Sequence, residues 1–235
     1  AGCELFCGSE KAGMNKILTK PAAVLFDLDG TLVDTAQDLG AALNFVLRQH
    51  GMAEKSYEEY RPMASHGAKG LLQLGFGEAI KEIDFGKARQ SLLDYYHEHS
   101  GVHSCLFPGA EELFAALQAR NIPWAIVTNK PYKLAAKVQR QLPALLKSRL
   151  LIGGDSLAQR KPDPTPLWMT AHSMQVPANQ CWYIGDAERD IEAGRRAGMQ
   201  TVMCDFGYIG PDDKTELWGA DLHISHFTDL IQHLD

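Results

Sequence analysis

Asp27-Leu28-Asp29-Gly30-Thr31 follows directly on Ala22-Ala23-Val24-Leu25-Phe26, so two carboxylates stand where an apolar strand ends and a glycine turn begins. Ionised carboxylates are costly to bury without cations or donors, and a pair in this position implies a metal, a phosphate or both. Asp-x-Asp by itself is common and reads equally well as a solvated turn. Three later segments keep it company: Thr128-Asn129-Lys130-Pro131, Arg160-Lys161-Pro162-Asp163-Pro164 and Gly185-Asp186-Ala187-Glu188-Arg189-Asp190. Together they supply acids, a hydroxyl and a cation.

The elements that must position these residues are legible in the hydrophobic pattern. Ala22–Phe26, Pro123–Val127, Leu150–Ile152, Cys181–Ile184 and Thr201–Cys204 read as strands. Between them Ala110–Ala119, Tyr132–Gln141, Pro164–Met174 and Ile191–Ala197 carry apolar residues at helical spacing. Strand–helix alternation of this kind predicts an α/β fold, a Rossmann-like parallel sheet with helices on both faces. In such a sheet ligands gather at the carboxyl ends of the strands, where the three acidic and polar segments that follow strands fall. Residues 35–101 break the rhythm. Helical patterns at Gln37–Gln49, Tyr57–Pro62, Ala68–Leu74 and Gly86–His99, with no convincing strand, predict an inserted helical cap. The chain returns to the core through Gly101–Gly109, so the expected core is 14–34 plus 102–235.

Composition bounds the function. The chain has 235 residues, enough for one domain with an insertion, and is 45% hydrophobic and 22% charged. It has no apolar stretch of membrane-spanning length, so no membrane partner is expected and the expected location is the cytoplasm. A net charge of −6 argues against a nucleic-acid-coating surface. The five cysteines, Cys3, Cys7, Cys105, Cys181 and Cys204, are odd in number and outside zinc spacing, which suits reduced thiols; Cys181 and Cys204 read as core residues. Residues 1–13 lack the basic flank and apolar stretch of a signal peptide, and Met14 is a natural start, so 1–13 are expected to be an extension, a tag or an over-called start.

The four chemical segments, in this order and with a helical insertion after the first, resemble the haloacid dehalogenase-like hydrolase superfamily with its type 1 cap. That resemblance implies a phosphatase in which Asp27 is the nucleophile and forms an aspartyl-phosphate. Asp29 would protonate the leaving alcohol and then deprotonate the hydrolytic water. Its presence favours a phosphatase over a dehalogenase, since a departing halide needs no acid. The implied cofactor is Mg²⁺, a hard cation for Asp27, Asp186 and the Asp29 carbonyl, with Asp190 supporting the shell. Asp190 is equally a first-turn helix acid favoured by the dipole. Thr128 and the Asn129 amide would donate to a phosphoryl oxygen, and Lys161 would set a charge on the same group and on Asp27. Gly30 and Thr31 would bring backbone N–H groups to the phosphate as an anion nest, although the turn alone explains the glycine.

Ser65-His66-Gly67-Ala68-Lys69-Gly70 is the expected specificity loop of the cap, with Ser65, His66 and Lys69 as substrate contacts; it reads equally as a solvated turn opening a helix. Within the superfamily the chain is most similar to phosphoglycolate phosphatases and, as the alternative, to N-acetylmuramic acid 6-phosphate phosphatases of cell-wall recycling. The segments Val102–Phe107 and Gly207–Ile209 with Trp218–Asp221 favour the second branch by likeness alone, Tyr208 and Trp218 reading as packing or a flap. A phosphomutase of the β-phosphoglucomutase type would carry histidine where this chain has Leu39. A non-catalytic phosphate-binding module would have lost one of the key acids, yet Asp27, Asp29, Thr128, Lys161 and Asp186 are intact. The expected partner is a small phosphorylated metabolite, and the expected state a monomer or homodimer.

Overall fold

The computed structural model describes residues 18–235. The extension at 1–13, with Cys3 and Cys7, lies outside them. In chain order the main elements are β1 (Ala23–Phe26), β2 (Val33–Asp34), α1 (Ala36–Gln49), α2 (Tyr57–Tyr60), α3 (Gly67–Phe76), α4 (Phe85–His99), β3 (Cys105–Leu106), α5 (Ala110–Ala119), β4 (Trp124–Val127), α6 (Tyr132–Gln141), β5 (Leu151–Ile152), α7 (Thr165–Ser173), β6 (Cys181–Gly185), α8 (Glu188–Ala197), β7 (Gln200–Cys204) and β8 (Leu222–Ile224). Six strands form one parallel sheet in the order β5-β4-β1-β6-β7-β8.

β1 is central. It sets Val24 beside Trp124 on one side and beside Trp182 on the other. Successive residues point to opposite faces, and both faces are covered. Val24 and Phe26 join the larger core with Trp124, Ile126, Trp182 and Ile184, whereas Ala23 and Leu25 join Ala125, Val127, Cys181 and Tyr183 in the second. This is why the strand reads as an unbroken apolar run. Phe26 meets Phe114 and Trp124 edge-on, at centroid distances of 6.1 and 5.8 Å. Cys181 and Cys204 are buried in these cores, as expected.

All four helices α1–α4 fall between β2 and β3, the interval in which the sequence shows no strand. β2 and β3 pair antiparallel, Val33 with Leu106 and Asp34 with Cys105, so the chain leaves and re-enters the sheet layer side by side. Buried Asp38 ties the same crossing. It accepts from the N–H groups of Gly101 (2.7 Å), His103 and Ser104 (3.1 Å each) and from Ser104 Oγ (2.5 Å). A carboxylate so enclosed is compensated by four donors.

The helix expected over Tyr57–Pro62 divides. α2 opens with a capping box, Ser56 accepting from Glu59 N–H, and gives way at Arg61 to a 3₁₀ turn running to His66. Pro62 has no N–H for an α-helical bond, so the turn tightens there. The pair β2–β3 and edge strand β8 were not foreseen: two or three residues are too few to show a period.

Candidate functional site

The carboxyl ends of β1, β4 and β6 converge. Asp27 leaves β1 with its N–H on the Ile184 carbonyl (2.9 Å), Thr128 leaves β4, and Asp186 leaves β6. Asp27, Asp186 and Asp190 are all buried and each offers an oxygen within 4.8 Å of the others. Such crowding of like charge demands cations. Lys161 supplies one, its Nζ 2.9 Å from Asp27 Oδ1 and 2.8 Å from Asp190 Oδ1. The same ammonium donates to the Val127 carbonyl (3.0 Å) and the Tyr183 hydroxyl (2.6 Å). Three protons face four oxygens, and Asp190 Oδ1 is left without an aligned hydrogen bond.

Arg189 supplies the other cation. Its guanidinium is raised by the field of Asp190, Asp27 and Asp186, which outweighs the opposing effect of burial. Burial would raise Asp190, but Lys161 and Arg189 outweigh it and hold its carboxyl below the usual range. The cost falls on the other two acids. Burial, with the Asp190 charge, raises Asp27 against the pull of Lys161. Burial, then Asp190 and Asp27, pushes Asp186 up to about 7. Three acids against two cations leave a surplus negative charge. With only oxygen donors, and with Asp190 Oδ1 held by an ion pair but by no aligned hydrogen bond, the cluster fits a hard divalent cation.

Asp190 works at a helix start and in the acid cluster. Oδ2 accepts the Ala187 N–H at the start of α8 (3.1 Å), while Oδ1 faces Lys161. Asp186 is held by Thr31 Oγ1 on Oδ1 (3.1 Å) and by Ser65 Oγ and the Tyr208 N–H on Oδ2 (2.9 Å each). Gly30, at φ +81°, is obligatory here: a Cβ would lie 2.2 Å from Asp186 Oδ2.

The anion nest expected at Gly30 and Thr31 is corrected. The Gly30 N–H bonds the Val33 carbonyl and the Thr31 N–H the Leu28 carbonyl (3.0 and 3.3 Å), so both are spent closing the turn. Thr31 instead serves Asp186 through its hydroxyl. The Asn129 side chain exchanges two hydrogen bonds with the Lys161 backbone (2.8 and 3.1 Å), which fixes Lys161. Thr128 is buried at the strand end, its Oγ1 accepting from the Lys130 N–H (3.2 Å).

Asp29 stands apart from the cluster. Its Oδ1 accepts from Thr35 Oγ1 (2.5 Å) and pairs with Lys130 Nζ (2.8 Å). Thr35 sits at the N-cap of α1 and makes no capping bond; its hydroxyl donates to Asp29. Lys130 Nζ lies 4.3 Å from the centre of the Tyr96 ring. Burial would lower the Lys130 ammonium, but Asp29 and Tyr96 outweigh it and raise it. Burial pushes the Tyr96 phenol up to about 12.

The helical segment reaches the acids through residues 61–66. Ser65 meets Asp186, and its carbonyl accepts from Arg189 (2.6 Å). Arg61 donates to the carbonyls of Phe206 and Gly207 (3.0 Å each), 5.2 Å above the Tyr208 ring. Of the expected specificity residues, Ser65 arrives at the acids, while His66 and Lys69 lie exposed at the start of α3. Partial desolvation of the ring, then the Arg189 charge, lowers the His66 imidazole. Tyr208 is buried beside the site, its hydroxyl donating to Asp34 (2.8 Å) and accepting from the Thr35 N–H (2.6 Å); half-buried Trp218 lies by Arg195. Sequence reasoning missed Arg189, Lys130 and Asp38. Arg189 and Lys130 stood inside quoted motifs, but only the folded chain shows which acid each meets. A surface depression of ≈ 420 Å³ lined by Phe45, Gln49 and Tyr95 among others contains none of these acids.

Residues 24–204 match the family model described as haloacid dehalogenase-like hydrolase. The chain is 38% identical over 213 residues to an N-acetylmuramic acid 6-phosphate phosphatase of Pseudomonas aeruginosa, covering 91% of this chain and 94% of that one. It is 41% identical over 206 residues to a phosphoglycolate phosphatase of Xanthomonas campestris, covering 86% and 91%. A crystal structure described as a predicted phosphoglycolate phosphatase from Haemophilus somnus superposes with a TM-score of 0.83 at 26% identity, covering 93% of this chain and all of that one. Among the described residues no helix is long and apolar enough to cross a membrane.

Proposed function

The chain belongs to the haloacid dehalogenase-like hydrolases, a phosphatase by its relatives, and we propose that it hydrolyses a small phosphorylated metabolite of the phosphoglycolate type through a phosphoenzyme on Asp27. One observation carries the reading: a buried carboxylate at the end of the central strand, 2.9 Å from a buried lysine and beside two further acids. In this reading Asp27 attacks phosphorus, the bond from phosphorus to the ester oxygen breaks, and Asp29 protonates the departing alkoxide. Asp29 then takes a proton from water, which attacks the aspartyl-phosphate; the phosphorus–Asp27 bond breaks and phosphate leaves. Lys161, fixed by Asn129, offsets charge on the phosphoryl oxygens. Thr128 donates its hydroxyl to the same group.

Asp27, Asp186 and Asp190, with the Asp29 carbonyl, would hold Mg²⁺, which supplies Lewis-acid neutralisation of the phosphoryl group. Residues 35–101 act as a cap, and 14–34 with 102–235 as the core. Ser65, His66 and Lys69 form the cap's substrate face, closing through the Arg61 and Ser65 contacts so that water is excluded while the phosphoenzyme forms. We place the enzyme in the cytoplasm, as a monomer or homodimer.

The second reading, an N-acetylmuramic acid 6-phosphate phosphatase, is favoured by the relative from Pseudomonas aeruginosa, matched over 94% of its length. Phosphate release from 2-phosphoglycolate and from N-acetylmuramic acid 6-phosphate, compared as kcat/KM in Mg²⁺, decides between them. A large preference for the first supports the main reading, and the reverse supports the second. Failure on both, and on generic aryl phosphates, would refute the phosphatase assignment.

A further inference from the structure

Two buried lysines serve this site, and they serve different acids. Lys161 meets Asp27 and Asp190, whereas Lys130 meets Asp29 at 2.8 Å, with its side chain only 6% exposed. Lys130 is held on every side. Its N–H bonds Thr128 Oγ1, its carbonyl accepts the Gly154 N–H (2.8 Å), and its ammonium lies between the Asp29 carboxylate and the Tyr96 ring. Gly154 is required for that anchor, since a Cβ there would lie 2.1 Å from the Asn129 carbonyl oxygen. Thr35 and Lys130 share the same carboxylate oxygen, Oδ1, which leaves Oδ2 clear of both. Tyr96 comes from α4, within the helical interval 35–101.

We propose that Lys130 is the positioning residue for proton transfer by Asp29, pinning Oδ1 so that Oδ2 presents the proton to the leaving oxygen, and that the Tyr96 ring completes the hold from the helical segment. The inference rests on the phosphatase reading above. It follows from geometry: a carboxylic acid free to rotate delivers its proton poorly, and general acid catalysis contributes about 10²–10⁴-fold when the acid is well placed. A cation on a ring face is held without a further hydrogen bond. The arrangement makes acid placement depend on the helical segment being seated.

The test is leaving-group dependence. For wild type, Lys130→Met, Lys130→Arg, Tyr96→Phe and Tyr96→Leu, kcat/KM is measured in Mg²⁺ on aryl phosphates from phenyl to 2,4-dinitrophenyl; kcat/KM covers only the steps through phosphoenzyme formation. A good leaving group departs without a proton. Lys130→Met should therefore lose about 100-fold on phenyl phosphate but less than about 10-fold on the dinitrophenyl ester, within the range of a misplaced acid. Lys130→Arg should recover part of the loss, Tyr96→Phe should match wild type, and Tyr96→Leu should show a weaker form of the same slope. If Lys130→Met does not fold, Lys130→Arg and Tyr96→Leu carry the test by their slopes. An equal loss on all esters would overturn the proposal while leaving the phosphatase reading standing. A wild type inactive on every ester would overturn both.

Discussion

Replacing Asp186 by asparagine should stabilise the metal-free protein at pH 8 and remove its response to Mg²⁺. Asp186 is fully buried, and its carboxyl is pushed from 3.8 up to about 7 by burial and by the charges of Asp190 and Asp27. The folded state therefore holds a proton that the unfolded state releases, and this acid's contribution to stability is present below about pH 4 and lost as pH rises through about 7. A displacement of roughly three units at about 1.4 kcal/mol each sets a ceiling of ~4 kcal/mol at pH 8. Asparagine keeps the volume. Its amide oxygen can accept from Ser65 Oγ and the Tyr208 N–H, and its NH₂ can donate to Thr31 Oγ1. For a chain of this length 1 kcal/mol moves Tm by about 2–4 °C, so even half the ceiling raises Tm by about 4–8 °C. The assay is a set of thermal melts of wild type and Asp186→Asn at pH 5 and pH 8, each in EDTA and in excess Mg²⁺. The variant should melt higher than wild type in EDTA at pH 8, with the gap shrinking at pH 5, where Asp186 is already protonated. Mg²⁺ should raise wild type more at pH 8 than at pH 5 and leave the variant nearly unmoved. A variant that melts below wild type in EDTA at pH 8 would refute the reasoning, because the carboxylate would then be a net stabiliser without a cation.

Asp27→Asn should abolish turnover, with Tm equal to or above that of wild type in EDTA, since a buried acid raised by burial is removed at constant volume; activity near wild type would sink the nucleophile assignment. Lys69→Ala should raise KM for the natural substrate more than for phenyl phosphate, and equal effects would assign this exposed lysine to a solvated face. Arg61→Ala removes two hydrogen bonds to the Phe206 and Gly207 carbonyls and a cation above Tyr208, so KM should rise several-fold with Tm lowered by only a few degrees; unchanged KM would show that this contact does not hold the helical segment closed.

The chemistry was written locally. A strand followed by its carboxylates within five residues identifies Asp27 and Asp29 from the sequence, and the same logic locates Thr128 and Asp186, because a parallel strand ends at one face and its next residues must sit there. Long apolar runs and helical spacing likewise marked the main strands, and the helical interval appears where its lack of strands had placed it. Short pieces escaped. β2, β3 and β8 owe their existence to pairing partners far away in the chain, and the 3₁₀ turn after Tyr60 to one proline.

Partnership was beyond the sequence. Which lysine meets which acid depends on separations of 134 residues for Lys161 with Asp27 and 101 for Lys130 with Asp29, distances over which no periodicity operates. The turn that spends the Gly30 and Thr31 amides, the exchange that commits Asn129 to Lys161, and the five-residue reach of Arg61 to Ser65 over Tyr208 and Asp186 are likewise set by packing. The sequence by itself determined the set of groups and the end of the sheet at which they gather. The tertiary structure decided their pairing and therefore their charge states, because burial and Coulomb interaction act through space and the chain order is blind to both.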